Sequence, residues 1–248
     1  MLKRLFLCVL IFLFNLISFA QNREQYKKID WRIYNSLNWR EYVDYQSDEW
    51  KNMSIEDKNS LLKIPDSVLN TMSTKELIEA SIDCHFARRI GLFSMIDNYY
   101  KKVEESFNGF SELLSRKDVV EKLISYYNDM DITKDTYSPA GLSQREQIQI
   151  IEYLMVHPQL LSKYDLSSIE TLTSELLSKY EIKTNMGTVY EKGDLISNIY
   201  AIAKLIEIKN HENSQNLKSI GGVEIFLESG LYLTDDIRNH VLSICKSN

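Results

Sequence analysis

Four apolar positions recur at the same offsets in three places along the chain. Leu195, Ile199, Ile202 and Ala203 stand at i, i+4, i+7 and i+8. Ile237, Val241, Ile244 and Cys245 repeat the set about 42 residues further on, and Val119, Leu123, Tyr126 and Tyr127 hold it upstream. Such a set spans about 100° of a helix, the width of one buried stripe. A strand cannot use it, because successive side chains of a strand face opposite ways. Turn chemistry agrees: eight glycines and three prolines in 248 residues are too few for an all-β chain, which needs turn residues every few positions. The expected fold class is all-α.

Helix starts are legible from capping residues. Ser54 is followed by Asp57, and Ser73 by Glu76, both in the form of a capping box. Pro65 sits where a helix can begin without losing a hydrogen bond. Pro158 closes a helix, since the residue before proline avoids helical geometry. The expected helices lie near 54–63, 66–72, 74–86, 88–106, 110–116, 117–128, 143–156, 166–181, 190–209, 215–229 and 234–246. Asp131 to Gly141 is the clearest loop, followed by Lys183 to Gly193.

The repeat carries a resemblance. A period of about 40–47 residues is that of armadillo and HEAT arrays. The last unit runs Gly221-Gly222-Val223-Glu224-Ile225-Phe226-Leu227-Glu228, turns at Ser229-Gly230, and opens a final helix at Thr234-Asp235-Asp236. This resembles an armadillo unit over about Gly193 to Asn248; the remainder fits loosely. The segment Met72-Ser73-Thr74-Lys75-Glu76-Leu77-Ile78-Glu79-Ala80 also resembles exported bacterial helical proteins of uncharacterised role. The resemblance implies an irregular α-solenoid of antiparallel helices. A non-repetitive helical bundle is the alternative, because any pair of amphipathic helices looks alike at this level.

The N-terminus reads as an address, not as structure. Lys3 and Arg4 precede an apolar run from Leu5 to Ile17, and Ser18-Phe19-Ala20 places small residues before a cut. That is a secretory signal over residues 1–20, too short for a comfortable membrane span of roughly 20 residues. The expected organisation is this leader, an aromatic-rich segment over 21–52, and a helical repeat-like domain over 53–248. The chain is expected to be exported, to the periplasm or beyond, with no membrane span after cleavage. The net charge of −6 becomes two charges more negative without Lys3 and Arg4. With no basic cluster, nucleic acid is excluded as a partner, and docking to an anionic bilayer is disfavoured. Only Cys84 and Cys245 would remain, with no CxxC motif. An open array would hold them too far apart to bond.

Catalytic signatures are missing: there is no G-x-S-x-G elbow and no glycine-rich phosphate loop. His211-Glu212 starts like a zinc-protease motif, but Gln215 stands where the second histidine belongs. In Asp83-Cys84-His85 the outer two residues point about 200° apart on a helix. Asp83 then shares the charged face of Glu76 and Glu79, and His85 the face of Ile78 and Ile82. His157 falls at a helix C-terminus, where imidazole caps carbonyls, and His240 lies beside the last core stripe. Asp129/Asp131 and Asp235/Asp236 read as turn and cap residues. No enzyme activity, cofactor or metal is expected.

One cluster resists a purely structural account. Trp31-Arg32-Ile33-Tyr34 is echoed by Trp39-Arg40-Glu41-Tyr42. If residues 29–46 are helical, Trp31, Tyr34, Trp39, Tyr42 and Tyr45 fall within about 140° of one another, with Asn35 and Asn38 on the same arc. Such a face can stack on sugar rings or meet a partner; equally, it can dock on the array and cap its end. The expected function is protein binding or scaffolding on the helical-repeat surface, with glycan or cell-envelope binding through these aromatics as the alternative.

Overall fold

A computed structural model describes residues 48–54, 57, 63–84, 87–134, 136–138, 142–187 and 189–246. The chain is all-α. Its helices are α1 (Asp48–Asn52), α2 (Asp66–Leu69), α3 (Thr74–Asp83), α4 (Ile96–Ser106), α5 (Asn108–Ser115), α6 (Val119–Asp129) and α7 (Gln144–Met155). They continue with α8 (Pro158–Leu161), α9 (Leu166–Asn185), α10 (Lys192–Lys209), α11 (His211–Leu217), α12 (Val223–Ser229) and α13 (Asp235–Lys246). A 3-10 helix, Ala87–Leu92, joins α3 to α4. Among the described residues there is no strand, only an isolated bridge between Tyr137 and Ser143.

The capping residues work as their spacing demands. Ser73 Oγ accepts the Glu76 N–H while Glu76 returns a carboxylate to the Ser73 N–H at 2.7 Å. Ser143 and Glu146 do the same at the start of α7. The Asp57 N–H donates to Ser54 Oγ at 3.0 Å. Gly222 and Gly230, with φ of 83° and 69°, bracket α12 in the left-handed region that side chains avoid. The turn from Lys218 to Gly222 splits the expected 215–229 helix into α11 and α12. The expected 88–106 helix likewise divides, into the 3-10 helix and α4.

Two of the three stripes lie in the core as drawn. Val119, Leu123 and Tyr127 of α6 are buried, with Tyr126 packed on them. In α13 Ile237, Val241 and Ile244 are buried and Cys245 half-buried. The α10 stripe differs. Leu195 is half-buried and outside the core, whereas every residue from Ser197 to Ala203 is buried. A helix enclosed all round must have neighbours on every side, and α10 packs on α7, α9, α11, α12 and α13. At the other end α3 packs on α5, α6 and α7, and α12 reaches back to α4.

Asp235 is not the cap of α13. The Ile237 N–H donates to Thr234 Oγ1 at 3.2 Å, and Asp235, one residue inside, pairs with Arg238 at 3.0 Å. Pro158 opens α8 as well as closing α7. His157, expected to cap carbonyls, instead caps the start of α8, its Nδ1 accepting the Gln159 N–H at 3.2 Å.

Candidate binding site

The longest helix positions the site. Along α9 the buried residues are Ile169, Leu172, Leu176, Lys179 and Lys183. Their spacing alternates three and four, so the two lysines occupy the last slots of a core stripe. Lys183, expected in a loop, lies in the last turn of α9, which continues to Asn185, and is the buried residue of that turn. Isolated, a buried ammonium costs several kcal/mol. Here it meets Glu152 of α7 at 2.7 Å, both side chains fully enclosed at 0% exposure.

Glu152 is satisfied from four directions. Its Oε1 accepts from Lys183 Nζ, from the Tyr127 hydroxyl of α6 at 2.7 Å and from Asn198 Nδ2 of α10 at 2.9 Å. Its Oε2 accepts from Ser197 Oγ at 2.6 Å. Asn198 Nδ2 also reaches the Leu176 carbonyl at 3.2 Å. Lys179 Nζ donates to the Met130 carbonyl at 2.9 Å, pairs with Glu175 at 2.9 Å, and lies 5.0 Å over the Tyr127 ring. Burial and the Glu152 charge hold the Tyr127 hydroxyl well above its ordinary range. Nearby, Asp194 accepts Gln149 Nε2 at 2.8 Å and pairs with Arg145 at 3.2 Å. The Tyr190 hydroxyl, pushed up to about 12 chiefly by burial, donates to the Ile132 carbonyl at 2.7 Å. With Glu152 and Lys183 sealed from solvent, no substrate reaches the pair. What the centre does is fix α9 against α6, α7 and α10.

The other sides of α9 are open. One groove of about 570 Å³ runs between α6 and α9, with Asp118, Glu121, Asn128, Asp129, Ser168 and Thr171 on its walls. A second, of about 450 Å³, lies between α9, α10, α11 and α13, floored by Leu177, Ile206 and Ile244. Asn213 and Cys245 line it, and Lys209 pairs with Glu170 there at 3.5 Å. Asn213 is only 6% exposed, yet its side-chain nitrogen has no partner among the described residues. An unmade buried hydrogen bond costs about 1–3 kcal/mol. Burial pushes the Cys245 thiol up to about 11.

A second, part-buried polar contact joins His157 to α4. His157 Nε2 meets Glu104 Oε1 at 2.9 Å, with the Tyr100 and Phe110 rings 4.6 and 5.6 Å away. Burial lowers the affinity of His157 for a proton, against the pull of Glu104. The hydroxyls of Tyr100 and Tyr153 donate to the carbonyls of Tyr153 and Gly230, at 2.7 and 2.8 Å.

Trp31, Tyr34, Trp39, Tyr42 and Tyr45 lie outside the described residues, as does His85. The helix expected to carry His85 stops at Asp83, with Cys84 as its cap residue. Asp83 is buried at the end of α3, a helix that packs on α5, α6 and α7, and is not on a solvent-facing charged side. Its charge and that of Glu79 add to the burial that raises the Tyr126 hydroxyl. Gln215 Nε2 lies 2.9 Å from His211 Nε2 across one helical turn. Asp131, held down at about 2 by Thr133 and Lys134, shapes its own loop. Neither Cys84 nor Cys245 is in a disulfide. Among the described residues no group of three or more His, Cys, Asp or Glu side chains is placed to hold a metal ion. No helix there is long and apolar enough to cross a membrane.

Set against known proteins, the chain matches no family model, no curated protein and no solved structure. The polar centre was missed in the sequence, yet signals for it exist. Extending the Ile169–Leu172–Leu176 stripe by three and seven residues lands on Lys179 and Lys183. Glu152 interrupts the apolar run Ile150-Ile151-Glu152-Tyr153-Leu154.

Proposed function

We propose that the chain is an exported binding or scaffolding protein, acting in the periplasm or outside the cell, whose partner is a protein that meets the grooves beside α9. One observation carries this reading: α9 is held from beneath by a closed polar centre while it presents hydroxyl-bearing side chains to a groove on either side. Recognition surfaces gain affinity from such pre-organisation, since little ordering remains to be done on association. The armadillo/HEAT-like order belongs to the same proposal. Its support is the glycine-bracketed α12 followed by the Thr234-capped α13.

Site-specific photo-crosslinking in the exporting cell tests the reading. A crosslinking side chain at Thr171 or Thr173, one in each groove, should capture a defined protein. The same group at Lys75, exposed on α3, should not. Equal capture from all three positions, or none, would overturn the proposal. The glycan alternative is favoured by the Trp31–Tyr34 and Trp39–Tyr42 echo alone. A tryptophan fluorescence quench and blue shift on adding envelope oligosaccharide is its test; unchanged emission ends it.

A further inference from the structure

We infer that the groove between α9, α10, α11 and α13 receives an extended polypeptide segment, with Asn213 holding the main chain and Leu177, Ile206 and Ile244 receiving one apolar side chain. This deepens the protein-binding reading and rests on it. The leading observation is the Asn213 amide, buried on the groove wall with a nitrogen that finds no partner among the described residues. Buried polar groups are nearly always paired, so an unpaired one calls for an occupant. A primary amide offers both donors and an acceptor, and asparagine χ2 is a soft torsion that can turn either end toward the opening.

A peptide unit is the group that matches both ends of an amide at once. The chain already makes this contact elsewhere. Asn108 Oδ1 accepts the Ile64 N–H at 2.8 Å, and Asn108 Nδ2 donates to the Ile64 carbonyl at 2.8 Å. The side chain thereby grips both polar groups of one residue's main chain, as a neighbouring strand would.

Competing ligand classes fit poorly. The cation lining the groove, Lys209, is paired with Glu170, so no uncompensated positive charge waits for a phosphate or carboxylate. The lining side chains include no aromatic ring for a sugar to stack on. The apolar floor of Leu177, Ile206 and Ile244 suits an aliphatic side chain, and the exposed Ser174 leaves the entrance open.

The test uses random linear heptapeptides displayed on phage, selected against the full exported chain. Enriched peptides should share one Leu, Ile or Met position and should slow alkylation of Cys245. In fluorescence polarisation, N213L should weaken their binding at least tenfold. It removes the amide with its unpaired nitrogen while keeping the branched shape of the side chain, so the fold should hold, as an unchanged melting curve will show. S174W, which plugs the groove from its exposed rim, should abolish binding independently. Failure to enrich any peptide, or equal binding to the wild type and both variants, would overturn the inference. If crosslinking from Thr171 persists in that case, the binding reading stands and only the groove assignment falls. If both vanish, both fall.

Discussion

Lys183 and His157 are each enclosed and held by a carboxylate. Removing the ammonium in K183M leaves Glu152 enclosed without its counter-charge, which should cost about 3–5 kcal/mol. Chemical unfolding will measure it. The double variant E152Q/K183M should recover at least about 1–2 kcal/mol of that loss. The amide oxygen still accepts from Tyr127 and Asn198, and no charge is left buried. If the double is worse than K183M alone, the charge on Glu152 has another partner. For His157 the sign follows from burial. The folded ring resists the proton below the ordinary value of about 6.5, while the unfolded chain takes it there. Stability is therefore full above about pH 6.5 and declines as pH falls below it. The H157N variant keeps a capping acceptor for α8 but does not titrate. Its urea midpoint should be flatter between pH 7.5 and 5.5 than that of the parent, with Glu104 and Asp97 left in place. An equal slope would assign the acid sensitivity elsewhere.

At the scale of helices, burial ranks the truncations. I199A, I237A and V241A should each cost about 2–4 kcal/mol, as aliphatic truncations in a packed core do, while L195A, at a half-buried site, should cost clearly less. T234A should cost about 0.5–2 kcal/mol through the lost cap. D235A, whose side chain is mostly exposed, should cost less than T234A. Thermal melts in one buffer give the order, and a Leu195 effect equal to that of Ile199 would mean the stripe faces the core after all. The same elements show what was readable beforehand. Capping at Ser73 and the α6 and α13 stripes were visible because both are local patterns, set by neighbours within one or two turns. The enclosure of α10 was not, because Asn198 and Ser197 look solvent-facing until Glu152, some 45 residues away, is brought against them. Lys183 was misplaced for a related reason. A lysine after the last apolar residue reads as an exposed helix end, and only a distant carboxylate reverses that reading. The grooves, made by two helices in one case and four in the other, leave no mark on any one segment.

For the molecule as a whole, export is the first property to measure. The proposal places the mature start at Gln21 or close to it. Intact-mass measurement of exported protein should find that chain, and recovery of Met1 would remove the leader from the account. Once the mature protein is in hand, the position of α10 acquires a meaning in time as well as in space. Amide protons exchange with solvent through openings, and peripheral helices open on their own. A helix wrapped by five others has no such private route: to bare it, the chain must come apart. Deuterium uptake at α10 should therefore lag behind every other segment and follow complete unfolding. At a pH high enough for exchange to outpace refolding, its slowest amides serve as a clock for the lifetime of the native state.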